Sequence, residues 1–189
     1  PKSVVSTGGK YVYKDDQETP NVQSAVFDYG ERRMVFEVHG LHTGTDSDVA
    51  GAGNIVGNVF YGTEGYLAVD PEGFRVFKGR GCATTASAPS NCQREKVMEE
   101  KAVGPEGGYD GTAHFGAFIK AVRSRNANDL TAPVEVGVRA AALCHLANIS
   151  YRLGRKLVFD PARGRFADAD ANRLLSREYR PPYVVPERV

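Results

Sequence analysis

Apolar and polar positions alternate through the first half of the chain and take up a helical period in the second. In residues 33–39, RMVFEVH, Met34, Phe36 and Val38 share one face at a period of two, while Val35, Glu37 and His39 share the other. The first set reads as core and the second as mixed. Residues 21–29, NVQSAVFDY, form a similar β-branched and aromatic run, and Gly30-Glu31-Arg32 between the two is a hairpin signal. Further strands are expected at residues 4–6, 11–13, 58–61, 66–69 and 74–77. The last two are joined by Asp70-Pro71-Glu72-Gly73, which has Pro and Gly where a type I turn prefers them.

From Thr112 onward the spacing becomes i, i+3, i+4, i+7: Phe115, Phe118, Ile119 and Val122 mark a helix expected to face the core, capped by Thr112 or Asp110. A longer helix is expected to begin near Pro133 and to stop at Gly154, since Pro suits a first helical turn and Gly the left-handed closing residue. Within it Ala140, Ala141 and Ala142 would permit close approach, and Leu143, Leu146, Ile149 and Leu153 would supply the larger contacts. A short apolar strand follows near Val158, then a helix from about Asp168 to Arg177 and a Pro-rich extended tail. Residues 79–111 and 42–53 show no sustained period and read as loops, of a length usually tied to function or disorder. Strands first and helices afterwards argue for an α+β domain, with an open, mostly antiparallel sheet and helices packed on one face.

Composition narrows the partners. At 189 residues and 41% hydrophobic content, residues 1–189 fit a single domain with its own core. Lys and Arg number 24 against 23 acids and are scattered, so the basic stripe of a nucleic-acid binder is missing. No apolar run reaches the roughly 20 residues that span a bilayer. Neither nucleic acid nor membrane is therefore expected as a partner. Pro1-Lys2-Ser3 reads as a cut or processed start, which leaves the compartment unread.

The chemistry-bearing residues are few. His39 and His42 lie where a strand enters the Gly-rich segment HTGTDSDVAGAG, and imidazoles there can bind substrate hydroxyls or exchange protons near neutral pH. His114 opens a helix, facing ligand or solvent. These three are the candidate substrate-binding residues, weighed against plain exposed polar groups at a sheet edge. His145 reads as a core or interface histidine.

Gly51-Ala52-Gly53-Asn54-Ile55-Val56-Gly57 approaches a dinucleotide fingerprint, but its third glycine is one position late and a strand, not a helix, follows. Asp46-Ser47-Asp48 resembles the start of a calcium loop whose closing acid would fall on Gly57, so that reading fails. Cys82 and Cys92 bracket a flexible loop that permits a disulfide without requiring one, and they lack zinc-ligand spacing. Asn148-Ile149-Ser150 matches a glycosylation triplet inside an apolar helix and reads as chance. No catalytic, cofactor-binding or metal-binding residue is assigned.

Three segments in order, HFGAFIKAVRSR, LCHLANISYRLGRKLVFDP and NRLLSREYRPPY, resemble the C-terminal domain of the glucose-fructose oxidoreductase and inositol dehydrogenase (Gfo/Idh/MocA) family. Where relatives with this ending commonly carry a polar histidine followed by Arg-Ser after EVG, this chain has Val138-Arg139-Ala140, so position 138 loses any polar role. The resemblance implies the fold of a glyceraldehyde-3-phosphate dehydrogenase-like C-terminal domain and a role in substrate binding and oligomerisation. The complete enzyme would transfer hydride between NAD or NADP and a sugar or polyol hydroxyl. The lysine motif of the nucleotide-binding domain, and the helix with an aspartate and a histidine that act on the substrate, are not found in this sequence. The segment alone is therefore expected to be inactive and to bind no cofactor. Its expected partners are an N-terminal Rossmann domain, a sugar-like small molecule and a second copy through the sheet face. Two other readings are an interaction module without redox chemistry, and part of a glycosidase or lyase that oxidises its sugar transiently.

Overall fold

The computed structural model describes residues 1–12, 14–40, 57–70, 73–80, 93–101 and 111–186. The chain divides into two compact units, one of residues 1–42 and 131–189 and one of residues 43–130.

The first unit holds a sheet of strands β1 (Ser3–Gly9), β2 (Val22–Asp28), β3 (Arg33–His39), β8 (Leu157–Asp160) and β9 (Arg165–Phe166), ordered β3-β2-β1-β8-β9, with every pair antiparallel. The β2–β3 hairpin forms as its sequence requires: Gly30 takes a φ of 97°, the Tyr29 N–H donates to the Arg32 carbonyl, and the Gly30 N–H donates to Asp28 Oδ1. Helix α2 (Val134–Leu153) runs from Pro133 to a left-handed Gly154, the limits read from the sequence. Its second half lies on the sheet. Leu146, Ala147 and Ile149 join Val4, Ala25, Phe27, Leu157, Phe166 and Ala171 in one core, with Leu143 and Leu153 packed against it.

Three expectations change here. Ala140 to Ala142 are exposed because the sheet reaches only the C-terminal half of α2; His145, within that half, is exposed because it lies off the buried stripe of Leu146, Ala147, Ile149 and Ser150, so it is not a core histidine. On β3 only Met34 packs against the core; Phe36 and Val38 are exposed because they lie at the border of the sheet, beyond the helix. Tyr11 and Val12 are not in a strand. Val12 has a φ of 74°, and the Asn21 side chain takes over Tyr11's pairing, accepting from its N–H at 3.0 Å and donating to its carbonyl at 2.8 Å. Tyr13 lies outside the described residues.

Helix α3 (Ala169–Arg173) is shorter than expected, ending at Leu174 and not near Arg177. Asp168 sets its start: Oδ1 accepts from the Ala171 N–H at 3.1 Å, and Oδ2 receives Arg155 Nε and Nη2 at 2.9 and 2.6 Å. The Ala171 N–H first, and Arg155 second, hold the Asp168 carboxyl below its ordinary range and favour its charged form. A carboxyl depressed by folding contributes stability above its unfolded pKa and loses it as pH falls through the folded one. The melting temperature is therefore expected to drop more steeply in the parent than in Asp168→Asn as pH falls from about 5 to about 2. Parallel acid limbs in the two proteins would show that this cap does not report on folding.

The second unit holds a four-stranded antiparallel sheet, β4 (Asn58–Tyr61), β5 (Gly65–Asp70), β6 (Gly73–Arg80) and β7 (Gln93–Lys101), in sequence order. β4 to β6 fall where alternation placed them. β6 extends to Arg80 and β7 crosses residues read as loop, so that expectation is corrected: pairing with β6 makes QREKVMEEK a strand although its side chains do not alternate. Helix α1 (Thr112–Ser124) also forms, followed by a 3-10 turn at Ala127–Asp129. Its N-cap is Gly111, with no side-chain cap bond; Thr112 is the first helical residue and Asp110 lies outside the described residues.

Among the described residues the apolar stripe of α1 reaches no core. Phe118 is 56% exposed, and Phe115, Ile119 and Val122 are exposed as well. Among the described residues of this unit the buried apolar side chain is Ala68. The expected class holds for the chain: an α+β fold with antiparallel strands.

Candidate functional site

His39 ends β3 opposite Val22 and is exposed. Beyond it the Gly40 N–H donates to the Asn21 carbonyl at 2.6 Å, so Asn21 braces the exit of β3 with its backbone and the 11–12 bend with its side chain. Asn21 is buried with each of these groups satisfied, so its amide has a structural duty. Lys10 organises the same end of the sheet: its ammonium donates to the Asp15 and Gln17 carbonyls at 2.8 and 2.7 Å and pairs with the Asp15 carboxylate. That hydrogen bond keeps the Asp15 carboxyl below its usual range. The end of the sheet thus presents an imidazole beside an ordered polar loop.

His42 lies outside the described residues, as do the Gly51 to Val56 stretch, Asp46 to Asp48, Cys82 and Cys92. His114 occupies the first turn of α1, exposed, with its ring set edge-on to Phe115 at 5.7 Å. His39 and His114 belong to different units, and each is a surface imidazole within its own unit. Neither is assigned a catalytic partner. Cys144 is a free, exposed thiol on α2.

Described residues of the second unit line two hollows. One runs along a single face of α1, past Gly116, Ile119, Lys120, Arg123 and Ser124. The described residues that line it share one helix, and Lys120 is committed to Asp129 at 2.8 Å. The other lies at the β4–β5 hairpin and is lined by Tyr61, Tyr66, Phe77, Glu64 and Lys78 among others. Register puts Tyr61 opposite Tyr66 and Tyr66 opposite Phe77, giving a row of rings; Tyr66 and Phe77 stack at 4.7 Å and Tyr61 tilts onto Tyr66 at 5.9 Å. Sequence reading missed this row. Its signal is present in the alternation of the three strands, but it appears only once their register is known.

The described residues do not fit a dinucleotide. Pyrophosphate binding of that kind needs a parallel strand, a glycine turn and a helix N-terminus in succession. Both sheets are antiparallel throughout, and α2 starts at Pro133 after an extended link. Among the described residues no group of three or more His, Cys, Asp or Glu is placed to hold a metal ion. No helix among them is long and apolar enough to cross a membrane.

Comparison with known proteins agrees with the sequence resemblance. Residues 106–185 match the Gfo/Idh/MocA family described as "Oxidoreductase family, C-terminal alpha/beta domain". No curated protein matches the chain by sequence. Among solved structures, YvaA of Bacillus subtilis, assigned as an oxidoreductase, superposes with a TM-score of 0.53 at 13% identity, over 85% of this chain and 46% of its own. A protein of Klebsiella pneumoniae with the same assignment gives 0.52 at 15% identity, over 93% and 47%. At these identities the likeness is one of fold. The chain spans a little under half the length of the structures that it matches.

Proposed function

We propose that this chain, whose residues 106–185 match the C-terminal alpha/beta domain of that oxidoreductase family, is the substrate-binding and assembly portion of a NAD(P)-dependent enzyme acting on a sugar or polyol hydroxyl. The family match is the observation that carries the reading, and the fold likeness over most of the chain supports it. In this reading the nicotinamide is held by a Rossmann domain, while this domain supplies a wall of the substrate site. His39 at the end of β3 would contribute a hydrogen bond to a substrate hydroxyl. The helix-free face of the first sheet would carry a homo-oligomer contact. Val5, Val26 and Val35 lie opposite one another in a cross-strand row on that face, and Val35 is 61% exposed.

A protein that joins this chain to a nucleotide-binding domain of the family is expected to reduce NAD or NADP when offered a panel of polyols and sugars. Absence of turnover across the whole panel would overturn the proposal. By contrast, calorimetric titration of the chain alone is expected to give no micromolar binding of either nucleotide, because the required strand, turn and helix are not among its described elements. Micromolar affinity would mean that residues 51–57 hold a cofactor after all.

A further inference from the structure

Exposed sheet edges are a hazard that proteins guard by shortness, charge, bulges or covering groups, and among the described strands three of the four sheet edges are guarded. The β9 edge is two residues long and Asn172 closes it, accepting from the Phe166 N–H at 2.9 Å and donating to its carbonyl at 2.8 Å. The β4 edge has four residues. The β7 edge is long, but its sequence QREKVMEEK is charged and its ladder is broken by a register shift opposite Val76 and Phe77. β3 differs. It has seven residues in unbroken register with β2, contains neither lysine nor proline, and exposes Val35, Phe36 and Val38.

We infer that the β3 edge pairs with the β3 edge of a second copy of this chain, antiparallel about a two-fold axis at Val35. Backbone direction limits the possible registers. The Gly40 N–H and the Arg32 carbonyl point toward β2, so by alternation Arg33, Val35, Glu37 and His39 turn their N–H and C=O groups outward. A two-fold pairing therefore aligns odd residues with odd residues. Centred on Val35, it sets Arg33 opposite the partner's Glu37 twice and Met34 opposite the partner's Phe36 twice. One step toward the C-terminus, it would oppose Arg33 to the partner's His39; one step the other way, Glu31 to the partner's Glu37. The register at Val35 alone of these three gains opposite charges. It also continues the row of Val5, Val26 and Val35 into the same row of the second copy. This edge contact is additional to the face contact proposed above.

An edge contact alone falls below the roughly 1,200 Å² of stable interfaces, so sedimentation of the chain is expected to show, beyond any species held by the sheet face, a further two-fold association with a dissociation constant of about 10–100 µM. Arg33→Glu and Glu37→Arg should each weaken it by about tenfold, since two attractive pairs become repulsive, and the double variant should restore it. Amide hydrogen exchange at Val35 and Glu37 should slow as concentration rises. No further association up to several hundred micromolar, a double variant no tighter than either single one, or Val35 and Glu37 amides whose exchange does not slow as that association proceeds would each overturn the inference.

Discussion

Replacing Leu146 by Ala is expected to lower the unfolding free energy by about 2–5 kcal/mol and replacing Phe27 by about 3–5 kcal/mol, whereas Phe118→Ala should stay within about 0.5 kcal/mol. Leu146 is 4% exposed on the sheet side of α2, and Phe27 is 1% exposed on the facing side of β2. Each belongs to the one cluster that ties β1, β2, β8, β9, α2 and α3 together. Truncation there removes buried apolar area and leaves a cavity between elements that cannot collapse onto one another without breaking the β1–β2 ladder. Phe118 is as apolar as Phe27, but more than half of its surface already meets water. Urea midpoints for the three variants test the ranking. A loss at Phe118 comparable to that at Leu146 would require a packed surface over α1 and would move that helix into a core.

The contrast between Leu146 and Phe118 also marks what was legible in the sequence. Both stand on clean helical stripes, and both helices form. Period reveals that a helix has an apolar face, but not what covers it; that depends on which elements the chain returns to the same place. α2 is followed by β8, which pairs with β1 and draws the second half of the helix onto the sheet. Local chemistry was readable where it determines the backbone by itself, as with Pro133 and Gly154 at the ends of α2 or Gly30 in the hairpin. It failed where tertiary pairing decides: β7 is charged along its length and becomes a strand through β6, and Tyr11 leaves its strand because the Asn21 amide replaces the ladder. The site was less legible still. His39 was placed correctly at a strand end, yet the aromatic row across β4, β5 and β6 depends on register, which no single segment encodes.

Ser150→Ala should cost about 1–3 kcal/mol, more than a hydroxyl on the surface would, although the sequence presents this residue only as the end of a chance Asn-Ile-Ser triplet. β8 pairs with β1 at Ser3 and Val4 and no further, so the next β1 group on that side, the Ser6 N–H, has no strand to donate to. Ser150 fills the gap. Its Oγ accepts from the Ser6 N–H at 3.0 Å and donates to the Arg155 carbonyl at 2.8 Å, and the side chain is fully buried. Gln23 Nε2 completes the arrangement by donating to Ser6 Oγ at 2.9 Å. One buried hydroxyl thus joins the end of α2, the turn after it and the edge of β1. Alanine would leave a buried donor and an acceptor without partners, while threonine would keep the hydroxyl but force a methyl into a filled space, at about 1–3 kcal/mol. Ser24→Ala serves as the control, since its hydroxyl reaches Glu37 at 3.4 Å on the opposite face and its loss should stay within about 0.5 kcal/mol. Denaturation midpoints give the size of the effect, and hydrogen exchange gives its location: the Ser6 amide should exchange faster in Ser150→Ala under native conditions. Equal midpoints for the two alanine variants, with Ser6 protection unchanged, would mean that β1 and α2 are held together by apolar packing alone.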